Sequence, residues 1–240
     1  MIKLFSAIKL FFMILITVGA TVYVSIIYLV YIAFRGDPGL FNRIGRKWSK
    51  FLLKLYGIKC SINGLEKLDP DKTYVYVCNH SSLFDIPVVL ASLKDNVRIM
   101  YKKELEKIPF FGYGLKKSNF IAVTRSNPRN AMASIEEAVK TVRKNASVLV
   151  FPEGTRSVDG KLGGFKRGAF VLASRSEKEI VPVAIQGTSA ILPSKSFKVQ
   201  GGDVLVNIGH PMSFVHSDDR ASESIFMSEV RDEISKMLDS

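Results

Sequence analysis

Cysteine is scarce in this sequence, with only Cys60 and Cys78 among 240 residues. They form no CxxC pair, and no histidine is spaced to complete a metal site with them. A disulfide framework and a zinc module are therefore excluded, and two buried, reduced thiols are expected. Acidic residues are also in deficit, 22 against 34 lysines and arginines, which leaves a formal net charge of +12. Such an excess suits an anionic partner: a membrane surface, a nucleic acid or a phosphorylated metabolite. The basic residues are scattered, and there is no zinc-finger spacing, RNA-binding signature or arginine-rich arm, so no nucleic-acid partner is expected. Internal repeats and low-complexity linkers are missing too.

One feature is present in excess. Leu10 to Phe34 is a run of 25 residues without a charge, about 37 Å long as a helix and enough to span a bilayer. A cleaved signal peptide has a shorter apolar core, about 7 to 15 residues, and a small-residue cleavage site, for which Gly19 and Ala20 offer little. Lys3 and Lys9 precede the run, whereas Arg35, Arg43, Arg46, Lys47, Lys50 and Lys54 follow it. That bias predicts a membrane protein, single-pass or monotopic, whose globular body faces the cytoplasm. Next, Leu40, Phe41, Ile44, Trp48, Phe51, Leu52 and Leu55 recur at helical spacing between basic residues. This pattern fits an interfacial helix, and equally a stripe packed on the domain core. The expected division is an anchor at 1–36, an amphipathic helix at 37–58 and a globular domain at 59–240.

Beyond Gly57, short β-rich runs alternate with helical stretches, the pattern of an α/β fold with a central mixed sheet flanked by helices. Strands are expected at Tyr74 to Cys78, Val97 to Tyr101, Phe120 to Thr124, Ser147 to Phe151, Ile180 to Ile185 and Val204 to Ile208. A helix should run from Pro128 to about Asn145, with Ile135, Ala138, Val139 and Val142 inward. Another should close the chain with Ile225, Phe226, Val230, Ile234 and Met237 inward.

At the end of the first expected strand stands Asn79-His80-Ser81-Ser82-Leu83-Phe84-Asp85, followed by Ile86 and Pro87. Pro87 suits a first helical turn and disfavours helix at Ile86, which sets His80 and Asp85 on an irregular turn. Such a turn lets Asp85 hold one imidazole nitrogen while the other takes a proton. Ser82 as a covalent nucleophile is the alternative, although no GxSxG elbow surrounds it. The HxxxxD spacing, with Phe151-Pro152-Glu153-Gly154-Thr155-Arg156-Ser157 downstream, resembles the glycerolipid acyltransferase family that includes 1-acylglycerol-3-phosphate acyltransferases. Ile121-Ala122-Val123-Thr124-Arg125 and Val181-Pro182-Val183-Ala184-Ile185 are similar to two further blocks of that family, with Thr124 where an acidic residue is common.

The resemblance implies that His80 deprotonates an acceptor hydroxyl for attack on an acyl thioester, that Asp85 orients His80, and that no metal or cofactor takes part. It also assigns the acceptor phosphate to Glu153, Gly154, Thr155 and Arg156, with Arg125 and Lys166. From the residues alone, the glycines between Gly154 and Gly168 expose backbone amides that Arg156, Lys166 and Arg167 supplement, and a solvated face is an equal reading of Lys166 and Arg167. A nucleotide P-loop is excluded because Leu162 follows Lys161 where Ser or Thr is required. His210 and His216 fall outside every block, and ordinary loop roles are expected for them. The partners implied are a lysophospholipid acceptor, an acyl-CoA or acyl carrier protein donor, and a lipid bilayer. The leading expectation is acylation of 1-acylglycerol 3-phosphate to phosphatidic acid. Another lysolipid acceptor, or a non-catalytic module that binds anionic lipid, remains open.

Overall fold

The computed structural model describes residues 2–35, 39–124, 128–143, 146–196, 198–214 and 220–240. Strands β2 (Val75–Cys78), β5 (Ser147–Val150) and β6 (Ile180–Gln186) are buried on both faces almost throughout. That is why they read as near-continuous apolar runs rather than alternating ones. They lie at the middle of a seven-stranded sheet with β1 (Ile58–Asn63), β3 (Val97–Lys102), β4 (Ile121–Val123) and β7 (Gly202–Ile208), in the order β1-β7-β6-β2-β5-β3-β4. Every pairing is parallel except β6 with β7, so the sheet is mixed.

Strand pleating sends alternate residues to opposite faces. Tyr76 and Cys78 of β2 enter one buried cluster, and Val75 and Val77 enter the other. The first cluster packs against α2 (Gly39–Leu55) and α3 (Asp85–Ser92) through Leu52, Leu53, Val88 and Val89. The second packs against α5 (Pro128–Arg143), α6 (Gly168–Ser176) and α8 (Arg220–Asp239). In α5 the buried face is Ile135, Ala138, Val139 and Val142, as the spacing predicts. In α8, Phe226, Val230 and Ile234 are buried, but Ile225 is 61% exposed and does not face inward. One residue is about 100° on a helix, enough to carry Ile225 off the stripe that Phe226 begins.

Three differences from the sequence are local. Strand β1 is unanticipated: it is an edge strand with one buried face, so its apolar signal is thin. Helix α3 starts at Asp85, so Asp85 and Ile86 are helical where the sequence predicts a turn; His80 alone stays on the irregular turn, and Pro87 sits in the first helical turn, where no N–H is needed. Short helices α4 (Phe111–Lys117) and α7 (Thr188–Ile191) add to the list. Arg125, Asn145 and His216 lie outside the described residues.

The N-terminal helix α1 (Ile2–Arg35) contains Ile8–Phe34, 27 residues long and apolar enough to cross a membrane, with a mean hydropathy of 2.4 over its most apolar 18-residue window. It is not free of the domain. Thr17 meets the Tyr56 hydroxyl at 3.1 Å, the Trp48 indole N–H donates to Thr21 at 3.1 Å, and Tyr28 donates to the Lys117 carbonyl at 2.9 Å. These positions share one face of the helix, and Phe11, Phe12, Leu15, Val18 and Tyr23 are exposed elsewhere on it.

Candidate active site

His80 follows β2 directly, at the carboxyl end of the parallel strands, where crevices form in open α/β sheets. Its Nδ1 lies 2.7 Å from Oδ2 of Asp85. The same oxygen accepts the backbone N–H groups of Ser81 and Ser82, both at 2.8 Å, and Oδ1 accepts the Thr188 hydroxyl at 2.6 Å. Asp85 is fully buried, so these four donors replace the water it has lost. A carboxylate that accepts from all sides fixes the imidazole with Nδ1–H donated, which leaves the Nε2 lone pair outward. No described residue hydrogen-bonds Nε2. Phe151 stacks on the ring at 4.0 Å between centroids and 19° between planes. Ser82 is fully buried, and its hydroxyl donates to the Leu192 carbonyl at 2.9 Å, which removes it as a nucleophile.

Two bonds tie this turn to the loop after β5. The His80 N–H donates to Oε1 of Glu153 at 2.7 Å, and the His80 carbonyl accepts the Ser157 N–H at 2.8 Å. The other Glu153 oxygen accepts the Gly163 N–H at 2.9 Å. Burial pushes the Glu153 carboxyl above its ordinary pKa, against the pull of the two amides. Glu153 thus spends both oxygens on backbone amides, those of His80 and Gly163. Asn79 anchors the other flank, pairing through its amide with the N–H and C=O of Ile185 on β6 at 2.8 and 2.9 Å.

Of the expected phosphate-binding residues, Thr155 is exposed and Arg156 is half-buried, with no described partner for its guanidinium. Gly154 has φ +72, and a Cβ there would lie 2.7 Å from the Lys166 ammonium, so glycine is what lets Lys166 fold across the loop. Arg167 points elsewhere and pairs in bidentate fashion with Glu223 of α8, at 2.5 and 2.6 Å. Arg231 of α8 donates to the carbonyls of Leu162 and Gly163 at 3.3 and 3.4 Å, bracing the loop that Glu153 holds. Among the described residues no group of three or more histidine, cysteine, aspartate or glutamate side chains could hold a metal ion. Burial and the neighbouring Asp85 and Glu153 charges raise the Cys78 thiol well above its ordinary pKa, so it is inert.

A family model described as Acyltransferase matches residues 59–186, more than half of the chain. The chain belongs to the acyltransferase family. A chloroplastic 1-acyl-sn-glycerol-3-phosphate acyltransferase of Brassica napus is 37% identical over 200 residues, covering 79% of this chain and 58% of the relative. Its Arabidopsis thaliana counterpart is 32% identical over 250 residues, covering 99% and 67%. The chain therefore spans roughly three-fifths to two-thirds of the length of these plant acyltransferases. The crystal structure of the 1-acyl-sn-glycerophosphate acyltransferase PlsC from Thermotoga maritima matches with a TM-score of 0.82 over 100% of this chain and 98% of that one. At 22% identity it establishes the shared fold.

Beside the acyltransferase motif, an apolar cavity of about 350 Å³ runs between α1, α2, α3 and α4. Leu83 and Ile86, next to Asp85, form one end of its wall, and Tyr28, Trp48, Phe111 and Phe120 contribute elsewhere. The apolar stripe of α2 thus divides: Leu52 is core, Trp48 lines the cavity and Phe51 is 43% exposed. Phe151 and Thr188 are site residues that sequence reasoning missed. Phe151 carried a signal by adjacency to Glu153, whereas Thr188 reaches Asp85 only through the fold.

Proposed function

We propose that this protein is a membrane-bound enzyme that transfers a fatty acyl group from acyl-CoA or acyl carrier protein to the free hydroxyl of 1-acylglycerol 3-phosphate, making phosphatidic acid. The observation that carries the reading is the His80–Asp85 pair at 2.7 Å, its carboxylate buried and its Nε2 without a hydrogen-bond partner among the described residues. Nε2 takes the hydroxyl proton as the oxygen attacks the thioester carbonyl. When the tetrahedral intermediate collapses, the C–S bond breaks and the imidazolium returns the proton to the thiolate. Asp85 holds the tautomer and stabilises the transient imidazolium. Arg156 and Lys166, with the Thr155 backbone and Arg125, bind the phosphate by charge-assisted hydrogen bonds, while the Gly154 N–H closes the turn on the Phe151 carbonyl at 3.1 Å. The apolar cavity accommodates an acyl chain, within the size range of ligand pockets.

The relatives, both 1-acyl-sn-glycerol-3-phosphate acyltransferases, support this acceptor. Helix α1 supports the membrane assignment, with the domain on the cytoplasmic side by the basic residues that follow the helix. As a division of labour, we assign 1–36 to the anchor, 37–58 to the interfacial helix and 59–240 to the acyl-transfer domain. The test is purified full chain in detergent, supplied with each donor and a panel of lysolipids, with products read by mass spectrometry. Phosphatidic acid as the preferred product is expected, and preference for a lysolipid without a phosphate monoester overturns the acceptor assignment.

A further inference from the structure

The connection from β3 to α4 has features the acyl-transfer reading does not use. Lys103–Lys107 make a 3₁₀ turn, α4 begins at Phe111, and Ile108, Pro109 and Phe110 form a knuckle between them. Phe110 has φ 60 and ψ −58, and the Phe111 N–H reaches the Pro109 carbonyl at 2.6 Å. This is the positive-φ γ-turn, rare and strained for a residue that carries a side chain. Gly112 locks it: its N–H bonds the Ile108 carbonyl at 2.7 Å, and a Cβ there would lie 2.4 Å from the Glu106 carbonyl oxygen.

The strain sends adjacent phenylalanines in opposite directions. Phe111 lines the apolar cavity, while Phe110 is 52% exposed beside Ile108 at 45% and Tyr113 at 53%. A strained turn that holds large apolar side chains in water is destabilising unless something covers them. Lys102, Lys103, Lys107, Lys116 and Lys117 are exposed in the same stretch of chain, against only Glu104 and Glu106, with Lys102 lying 4.0 Å from the Glu104 carboxylate. The Glu106 carboxylate is taken by the Tyr101 hydroxyl at 3.0 Å, and the Lys117 ammonium lies 5.7 Å from the centre of the Tyr113 ring. Apolar and aromatic tips flanked in the chain by lysine suit the boundary between anionic headgroups and acyl chains. The bond from Tyr28 to Lys117 ties the far end of α4, the short helix that the knuckle opens, to the helix that is apolar enough to enter a membrane.

We propose that the knuckle from Ile108 to Tyr113 is a second bilayer contact, with Ile108, Phe110 and Tyr113 among the acyl chains and the flanking lysines on anionic headgroups. The cavity wall at Phe111 then borders lipid, beside the path of an amphiphilic substrate. The inference rests on the membrane assignment of α1 and adds a surface to it that neither α1 nor α2 supplies. The full chain with Trp48→Phe provides a background without tryptophan, since Trp48 is the only one. Single tryptophans are then introduced as Phe110→Trp on the knuckle, Phe12→Trp on α1 and Ile225→Trp on α8, which packs on the opposite face of the sheet. Each variant is reconstituted into phosphatidylcholine–phosphatidylglycerol vesicles with brominated acyl chains. Blue-shifted emission and loss of intensity are expected for Phe110→Trp and Phe12→Trp, and neither for Ile225→Trp. Tyr113→Trp, on regular helix, repeats the reading independently of the strained turn. Quenching of Phe12→Trp with both knuckle tryptophans as bright as Ile225→Trp overturns the second contact, leaves the anchor standing, and points to a soluble partner for the knuckle. No quenching at any of the four sites overturns the membrane assignment itself, and equal quenching at all four overturns a localised contact.

Discussion

His80 is held by its backbone as firmly as by its ring. Glu153 takes its N–H, Ser157 donates to its carbonyl, Asp85 takes Nδ1 and Phe151 covers one face. Glu153→Gln tests this directly, because a glutamine offers one acceptor oxygen where two amides need two. A buried N–H left unpaired costs about 1 to 3 kcal/mol, so thermal unfolding in detergent should shift down and turnover should fall with it. Unchanged stability and rate would show that the loop does not depend on that carboxylate. At Arg156 the expectation concerns chemistry rather than folding. A guanidinium meets a phosphate monoester in bidentate fashion and an ammonium does not, so Arg156→Lys should lower acceptor kcat/KM about tenfold to a hundredfold. Titration with lysophosphatidic acid and with a lysolipid lacking the monoester separates the roles, since equal losses for both would move Arg156 to the donor or the scaffold. His80 and Asp85 were legible because their chemistry is local, five positions apart, one on the turn after β2 and the other at the start of α3. The hydroxyl of Thr188 reaches Asp85 from 103 positions away, and no spacing announces that.

Among the elements, α1 has two faces with different work. Its exposed apolar side invites lipid, and its inner stripe carries Thr17, Thr21 and Tyr28 onto the domain and walls part of the cavity. Deleting residues 1–34 should release much of the protein from membranes while circular dichroism remains that of a folded α/β domain, because both buried clusters are built almost wholly from later elements. Residual binding through the lysines and arginines of α2 should weaken with salt. Acyl transfer should be lost even in detergent, since the cavity loses a wall, and retained activity would mean that α1 serves anchorage alone. The strands buried on both faces were legible in the sequence, as was the inward face of α5, because burial on this scale writes itself in apolar runs and periods. Strand β1 and helix α4 were not, one half-solvated at an edge and the other short, with glycines at two of its seven positions.

At the scale of the whole molecule, the sheet gathers blocks far apart in the chain. Strands β2 and β5 are neighbours, so the turn after one and the loop after the other meet, and Glu153 and Ser157 are where they join. The family match ends at residue 186, yet α8 reaches back from beyond it through Arg231 to the carbonyls of Leu162 and Gly163. Arg231→Met should therefore loosen the loop, costing about 1 kcal/mol in stability and some turnover, with Arg231→Lys recovering part of both. An effect on neither would make that brace incidental. The α/β class and the meeting of the two blocks were foreseeable, but strand order and the reach of α8 depend on long-range pairing that local sequence does not encode. The central claim is that Nε2 of His80 takes the proton from a lysophosphatidic acid hydroxyl. The measurement that tests it most directly is phosphatidic acid formation by purified wild type and His80→Ala, at saturating acyl-CoA and lysophosphatidic acid, with circular dichroism to establish that both are folded. A loss of about 100-fold to 10,000-fold in kcat is predicted for a general base. Near-normal product formation by folded His80→Ala would contradict the mechanism.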